Sequence, residues 1–383
     1  MEARAAASDR QVARAPLVIR RVDAVPVALP LLKPMKMAGV TIAHADNLLV
    51  RIEAADGTVG WGEAASAPTM TGDTAASLLS AVRDHLAPAL IGRDAWMRPA
   101  LCGALRTALL GNSGAHSAVE MALIDLAGQA AGVPAIDLIG GAVREAVAPL
   151  WLLGNATTEE DIAEAQERRR QGFHFFKLKI GVKPLADEIA GTLAVRSALG
   201  PDLPLCADAN CGLALAAARR YAERTRAADL LFIEQPLAHD DLAGLAALAR
   251  STPVAIGADE GIHSLADVEA HAASGAGGVS LKLIKLGGMA AALEAARLCA
   301  RRSLAVNVAA KIAESSIASS AAVHLACAAP TIDWGVSLTH FYLAEDVVRH
   351  PLPIADGHVA LPLAPGLGVA VDEDAVARLR VKL

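Results

Sequence analysis

Apolar and polar positions along the chain follow two successive rhythms. From Val18 to Glu63 they alternate: Val18–Val27 and Asn47–Glu53 read as strands, and Asp56-Gly57 is a turn leading into Thr58–Glu63, a hairpin signature. After Thr71 the spacing becomes helical, over Ala75–Ala87, Met97–Leu110 and Ala115–Ala131, the last closing at Gly132-Val133-Pro134. Strands followed by helices predict an α+β domain over 17–140. From Glu145 onward, short apolar runs recur at Val147–Leu153, Phe173–Ile180, Leu203–Asp208, Leu230–Glu234, Val254–Asp259, Gly278–Ile284 and Ala305–Val308. Helical segments separate them, among them Thr157–Gln171, opened by the capping box Thr157-x-x-Glu160, and Gly287–Arg302. Apolar strands joined by helical crossovers make a parallel sheet covered on both faces. Seven or eight such units over about 200 residues predict a TIM-like (β/α) barrel across 141–345, of β7α7 or β8α8 form. An open doubly wound sheet is the alternative, but its first βα turn would carry a Gly-rich phosphate loop, and Leu153-Gly154-Asn155 is not one. Residues 1–16 read as a disordered tail. A strand at Gly357–Leu363 and a helix at Asp372–Leu379 suggest that 346–383 returns to pack on the N-terminal domain.

Composition narrows the class. Of 383 residues, 54% are hydrophobic and 20% charged, which suits a chain with a large core and excludes a disordered one. The mean hydropathy of +0.39 arises from short Ala/Leu/Val stretches, none near the about 18 apolar residues of a membrane span. A net charge of −6 without a Lys/Arg cluster argues against nucleic acid as a partner. Five cysteines without a CxxC pair read as buried free thiols of a reducing compartment. The N-terminus lacks an apolar secretory core and carries Glu2 and Asp9, so a cytoplasmic enzyme is expected.

The chemistry gathers where barrel strands end. The second strand closes on Lys177-Leu178-Lys179, the third on Asp208-Ala209-Asn210, the fourth on Glu234-Gln235-Pro236, the fifth on Asp259-Glu260-Gly261 and the sixth on Lys282. From Asp208 onward these sites lie 26, 25 and 23 residues apart, about one βα repeat each, so they converge on one mouth. Asp208, Glu234 and Asp259 are hard oxygen donors with no His or Cys beside them, a set suited to Mg²⁺ or Mn²⁺. Left alone they would repel and raise one another's proton affinity, a conflict that a divalent cation resolves. Asn210 and Glu260, just beyond, are placed to support them from behind. Lys177 and Lys179 share a strand face, with Leu178 and Ile180 packed outward. The second and sixth strands stand opposite in an eight-stranded barrel, so Lys179 and Lys282 face each other across the lumen. Lysines near a cation and near each other lose proton affinity and become competent bases. Lys285 competes for the role, but Leu281, Leu283 and Ile284 place Lys282 within the strand, whereas Lys285 leads into the Gly287-Gly288 turn. Two opposed bases beside a metal that can hold a carboxylate point to removal of the proton α to a carboxylate, with the metal neutralising the enediolate.

The order KxK, D-x-N, E-Q-P, D-E, K-x-x-K-x-G-G resembles the enolase superfamily, and specifically its muconate lactonizing enzyme subgroup, over nearly the whole chain. Gly60-Trp61-Gly62-Glu63, Ala118–Gly128 and Leu138–Gly141 resemble that family's N-terminal capping domain, and residues 33–45 and 64–71 its two capping loops. The resemblance implies Asp208, Glu234 and Asp259 as Mg²⁺ ligands and Lys179 and Lys282 as the acid/base pair. It also implies Lys177 as the helper that contacts the substrate carboxylate, and Glu314, after the seventh strand, as a polar site residue. The mandelate racemase subgroup needs a His on the seventh strand, which here reads Leu304–Ala310 without one. Dipeptide epimerases carry Asp-x-Asp on the eighth strand, and Asp333–Tyr342 has no such pair. Ala313–Ile317 and Trp334-Gly335 resemble muconate cycloisomerases more than the racemases, so the resemblance implies muconate cycloisomerase as the favoured activity, on a small carboxylate substrate and in a homo-oligomer. Racemization of an N-substituted amino acid, dehydration of a hydroxy acid and o-succinylbenzoate synthesis are the alternatives within the subgroup. A Schiff-base aldolase is the alternative outside it, and would leave three converging carboxylates unexplained. Met35, Met37, Val40 and Met70 form an apolar lid, in which Lys33 and Lys36 are the cations available to a second carboxylate.

Overall fold

The computed structural model describes residues 14–37, 40–154 and 157–383, with the side chains of 36–41 left aside, so most of the expected tail lies outside the described residues. Three antiparallel strands open the chain, β1 (Ile19–Met37), β2 (Val40–Ala54) and β3 (Val59–Ala65), in that order across the sheet. The first two run well past the predicted strands. Their pairing continues from Val22↔Ile52 to Met37↔Val40, so the segment expected as a loop at 33–45 forms the two arms of a hairpin. The register shifts twice, between Ile19 and Arg21 and again between Pro30 and Met35, where Pro30 and Pro34 lie on the edge strand β1 and withhold ladder donors at little cost.

The helix Ser113–Ala131 lies on this sheet and is buried almost all round, because its far side meets the short helix Leu283–Leu286 of the barrel. Its close approach explains Gly60-Trp61-Gly62. A Cβ at Gly60 would sit 2.3 Å from the Leu126 nitrogen, and one at Gly62 only 2.0 Å from the Ala118 carbonyl oxygen. Between them the Trp61 N–H donates to Asp125 at 2.7 Å.

After a two-residue strand β4 (Ala146–Val147) the barrel begins. Its strands are β5 (Leu150–Leu153), β6 (Phe175–Lys179), β7 (Leu205–Asp208), β8 (Phe232–Glu234), β9 (Ala255–Ala258), β10 (Gly278–Leu281), β11 (Ala305–Ala309) and β12 (Val336–Ser337). All pair in parallel, in sequence order, and a bridge from Val336 to Pro149 closes the ring. Helices follow β5 through β11, the first capped by the Thr157–Glu160 box, whereas β12 runs into a 3-10 turn at His340–Tyr342. The lumen is plugged at the N-terminal end of the strands by Phe232 and Trp334, stacked at 4.0 Å, with Gly257 and Gly278 leaving room for the indole. Open space is thereby left to the opposite end, where the charged residues are. The last strand, β13 (Val359–Ala360), pairs with β4, and the helix Glu373–Leu379 packs on β1, where the Val381 N–H donates to Pro26 at 3.0 Å. Among the described residues no helix is long and apolar enough to cross a membrane.

Glu63 joins the N-terminal sheet to the barrel. It is fully buried and accepts from Asn47 Nδ2 (2.6 Å), the Ser315 N–H (2.9 Å) and hydroxyl (2.5 Å), and the Ala318 N–H (3.2 Å). Ser315 caps the helix Ser316–Ala328, so the carboxylate lies on a helix N-terminus, where the dipole and free N–H groups favour it. Burial still raises its proton affinity, and these donors only partly offset that.

Candidate active site

Register brings the charges to one level. Lys179 pairs with Asp208 across β6 and β7, and Asp208 with Glu234 across β7 and β8. Side-chain alternation points Lys177 and Lys179 into the lumen and packs Leu178 and Ile180 in the core outside. Just past β7 and β8 the backbone turns through left-handed conformations at Asn210 (φ 40°), Cys211 (φ 65°) and Gln235 (φ 35°), strain of the kind that accumulates where function fixes side-chain direction.

Asp208, Glu234 and Asp259 each meet an ammonium. Lys179 donates to Asp208 and to Asn210 Oδ1, both at 2.6 Å, and Lys177 donates to Glu234. Lys282 and Lys285 both hold Asp259, Lys285 at 2.6 Å from Oδ1. Asn210 in turn donates to Glu260 at 2.8 Å, a support line running from Lys179 to the fifth strand end. Burial opposes the charges on Asp208 and Asp259, but the lysines outweigh it and hold both below the usual carboxylate range. Glu234 goes the other way. Burial, with Asp208 and Asp259 beside it, pushes it up to about 7 despite Lys177.

Sequence and structure part company in several places. Lys282 lies just beyond β10 rather than within it, and Lys285 occupies the one-turn helix Leu283–Leu286. Lys285 is nevertheless drawn into the charge cluster, fully buried behind Asp259, whereas Lys282 lines the open cavity together with Lys177 and Lys179. Glu314 is buried and is not among the residues lining the cavity: its carboxylate accepts the Lys311 N–H at 3.1 Å, and burial together with Glu63 pushes it up to about 8. Met70 lines the cavity, but Met35 is core, and the side chains of Met37, Val40 and Lys36 lie outside the described residues. Lys33 is exposed and paired with Glu164 at 2.7 Å, away from the cavity.

Three participants escaped the sequence reading. Gln235 pins the fifth strand end, accepting from the Asp259 N–H at 2.9 Å; its place in E-Q-P was the available signal. Ser280 donates to Glu234 from β10, and nothing in the sequence marks it. Lys311, two residues past β11, lines the cavity; a lone lysine after the apolar run Ala305–Ala310 was a signal left unused.

Asp208, Glu234 and Asp259 are the oxygen donors that could hold a metal. Among the described residues no three carboxylate, imidazole or thiol groups are arranged to enclose an ion as they stand, since ammonium groups occupy the carboxylates. The donor set fits a hard divalent cation, which would bind in exchange for the lysine contacts.

A closed parallel barrel with opposed lysines and three acids at its C-terminal mouth defines a barrel enzyme for small carboxylic acids. Residues 19–140 match the mandelate racemase / muconate lactonizing enzyme N-terminal domain, and 160–375 the enolase C-terminal domain-like family. A muconate cycloisomerase of Acinetobacter lwoffii is 33% identical over 95% of this chain and 96% of its own. The L-Ala-D/L-Glu epimerase of Bacillus subtilis is 32% identical over 92% and 96%. The crystal structure of muconate lactonizing enzyme from Pseudomonas fluorescens complexed with muconolactone superposes with a TM-score of 0.92, at 31% identity, over 96% of this chain and all of that one. The chain belongs to the mandelate racemase / muconate lactonizing enzyme family of the enolase superfamily, and is a metal-dependent isomerase.

Proposed function

We propose that this enzyme is a cycloisomerase of the muconate type, interconverting an unsaturated dicarboxylate and its lactone by moving a proton at the carbon α to a carboxylate. The observation that carries the reading is the placement of Lys179 at the end of the second barrel strand and Lys282 just past the sixth, both lining one cavity, with Asp208, Glu234 and Asp259 on the arc between. A divalent cation, Mg²⁺ in this reading, bound by those carboxylates would supply positive charge to the oxygens of the substrate carboxylate. Lys179 is the base that takes the α-proton in the lactone-opening direction and returns it in the other. Its contacts to Asp208 and Asn210 orient the ammonium, and Asn210 is itself fixed by Glu260. Lys282 faces the opposite side of the substrate, and Lys177 contacts the carboxylate end. Phe232 and Trp334, stacked within a buried apolar cluster, close the floor.

The eighth strand separates this reading from epimerization of a free amino group. An ammonium needs a carboxylate to receive it, and β12 and the residue pair after it offer Ser337, Leu338 and Thr339 to the cavity. The test is deuterium uptake from D₂O with Mg²⁺, across muconolactone, N-acyl amino acids, dipeptides and sugar acids. Mg²⁺-dependent exchange into muconolactone that disappears in Lys179→Ala and Lys282→Ala is the expected result. Exchange into another acid alone would overturn the substrate, and absence of both exchange and metal binding would overturn the reaction class.

A further inference from the structure

Four lysines line the cavity, and three of them, Lys177, Lys179 and Lys282, each hold a carboxylate. Lys311 holds none among the described residues: its ammonium donates to the Ile312 carbonyl at 2.6 Å, while the Glu314 carboxyl is turned to the Lys311 backbone N–H. Its position is as distinctive as its lack of a carboxylate partner among the described residues. It follows the seventh strand, on the side of the ring away from Asp208, Glu234 and Asp259, which follow the third, fourth and fifth. The wall between carries Leu150, Leu152, Ile312 and Leu338, with Ser337, Thr339 and Tyr342 among them. A substrate with one carboxylate among Lys177, Lys179 and Lys282 therefore runs its hydrocarbon along those residues and brings its far end to Lys311.

We propose that Lys311 is the receptor for a second carboxylate on the substrate, and so selects dicarboxylic acids with a short apolar backbone over monocarboxylic ones. The proposal deepens the cycloisomerase reading and rests on it for the placement of the first carboxylate. It replaces Lys33 and Lys36 as the source of the second cation. The physical driving force is large. A half-buried ammonium with one carbonyl partner has donors to spare, and desolvation, with Lys282 nearby, outweighs the pull of Glu314 and Asp46 and lowers its proton affinity to about 8. An arriving carboxylate satisfies the donors and raises that proton affinity again.

The test measures binding as a ratio. Calorimetry on the Mg²⁺-loaded protein compares cis,cis-muconate with its monomethyl ester, in wild type, Lys311→Met and Lys311→Arg. A charge-assisted contact of this kind is expected to favour the dicarboxylate roughly tenfold to a hundredfold in wild type. The ratio should fall to near one in Lys311→Met and largely return in Lys311→Arg. A general loss of folding lowers both affinities and leaves the ratio standing, so it does not mimic this result. A wild-type ratio of one, or a ratio that Lys311→Met preserves, overturns the proposal. Turnover of muconate is read separately: an intact ratio without lactone formation overturns the reaction and leaves the receptor standing.

Discussion

Replacing Gly62 by Ala tests whether β3 must touch the helix Ser113–Ala131 backbone to backbone. The added methyl would lie 2.0 Å from the Ala118 oxygen, 2.7 Å from the Ala122 nitrogen and 3.0 Å from the Ala118 carbonyl carbon, none of which is a flexible side-chain end. Relief requires the strand to lift by about 1 Å, and overpacking of this kind costs about 1–3 kcal/mol before its consequences are counted. The consequence lies one residue on. Lifting β3 draws Glu63 off Ser315 and Ala318, and hydrogen bonds to a charged, buried acceptor are worth roughly 1.5–3 kcal/mol each. A total loss of about 4 kcal/mol is therefore expected in urea denaturation. Gly103→Ala is the control. It lies within the helix Arg98–Ala108, no atom lies within 4 Å of its added Cβ, and the change should stabilise by about 0.5–1 kcal/mol. A Gly62→Ala protein within 1 kcal/mol of wild type would refute the reasoning.

Three further outcomes are expected. Lys282→Ala should lower Mg²⁺-dependent proton exchange by about 10²–10⁴-fold. Lys285→Ala should act chiefly on stability by leaving buried Asp259 one partner short, and a fully active Lys282→Ala beside a dead Lys285→Ala would reverse the assignment. His324 and His340 each donate from Nε2 to a carbonyl, leave Nδ1 without a partner, and are held by burial at about 4, below their ordinary 6.5. Their folded-state values are depressed, so the stability they confer is present above about pH 6.5 and is lost as pH falls toward 4. Urea titrations should show this slope, and His324→Gln or His340→Gln should flatten it. Finally, burial pushes the Cys102, Cys211 and Cys299 thiols up to about 12, so all three should react slowly with a disulfide reagent at pH 8. Cys211, only half-buried, should react first, and fast labelling of Cys299 would contradict the packing.

The alternation of apolar runs and helical segments determined the barrel, because period-2 and period-3.6 patterns are local and each repeat restates them. The same periodicity located Lys177, Lys179, Asp208, Glu234 and Asp259, since residues that recur at strand ends must meet at one mouth. Where pairing partners decide, the sequence reading stopped short. It placed a loop at 33–45 on the resemblance to the family's capping loops, whereas strand pairing runs through the segment, and only the edge position of β1 makes Pro30 and Pro34 tolerable there. It read Gly60 and Gly62 as a motif, and only the helix packed on them shows why no side chain fits. It put Lys282 inside the strand and Lys285 out in a turn, whereas a single helical turn after β10 carries Lys285 back beneath Asp259. Lys311 is the clearest case. In the sequence it is one lysine after an apolar run, and its meaning depends on which neighbours the closed ring sets beside its ammonium. Periodicity is written residue by residue, but the partner of a buried charge is chosen by the fold.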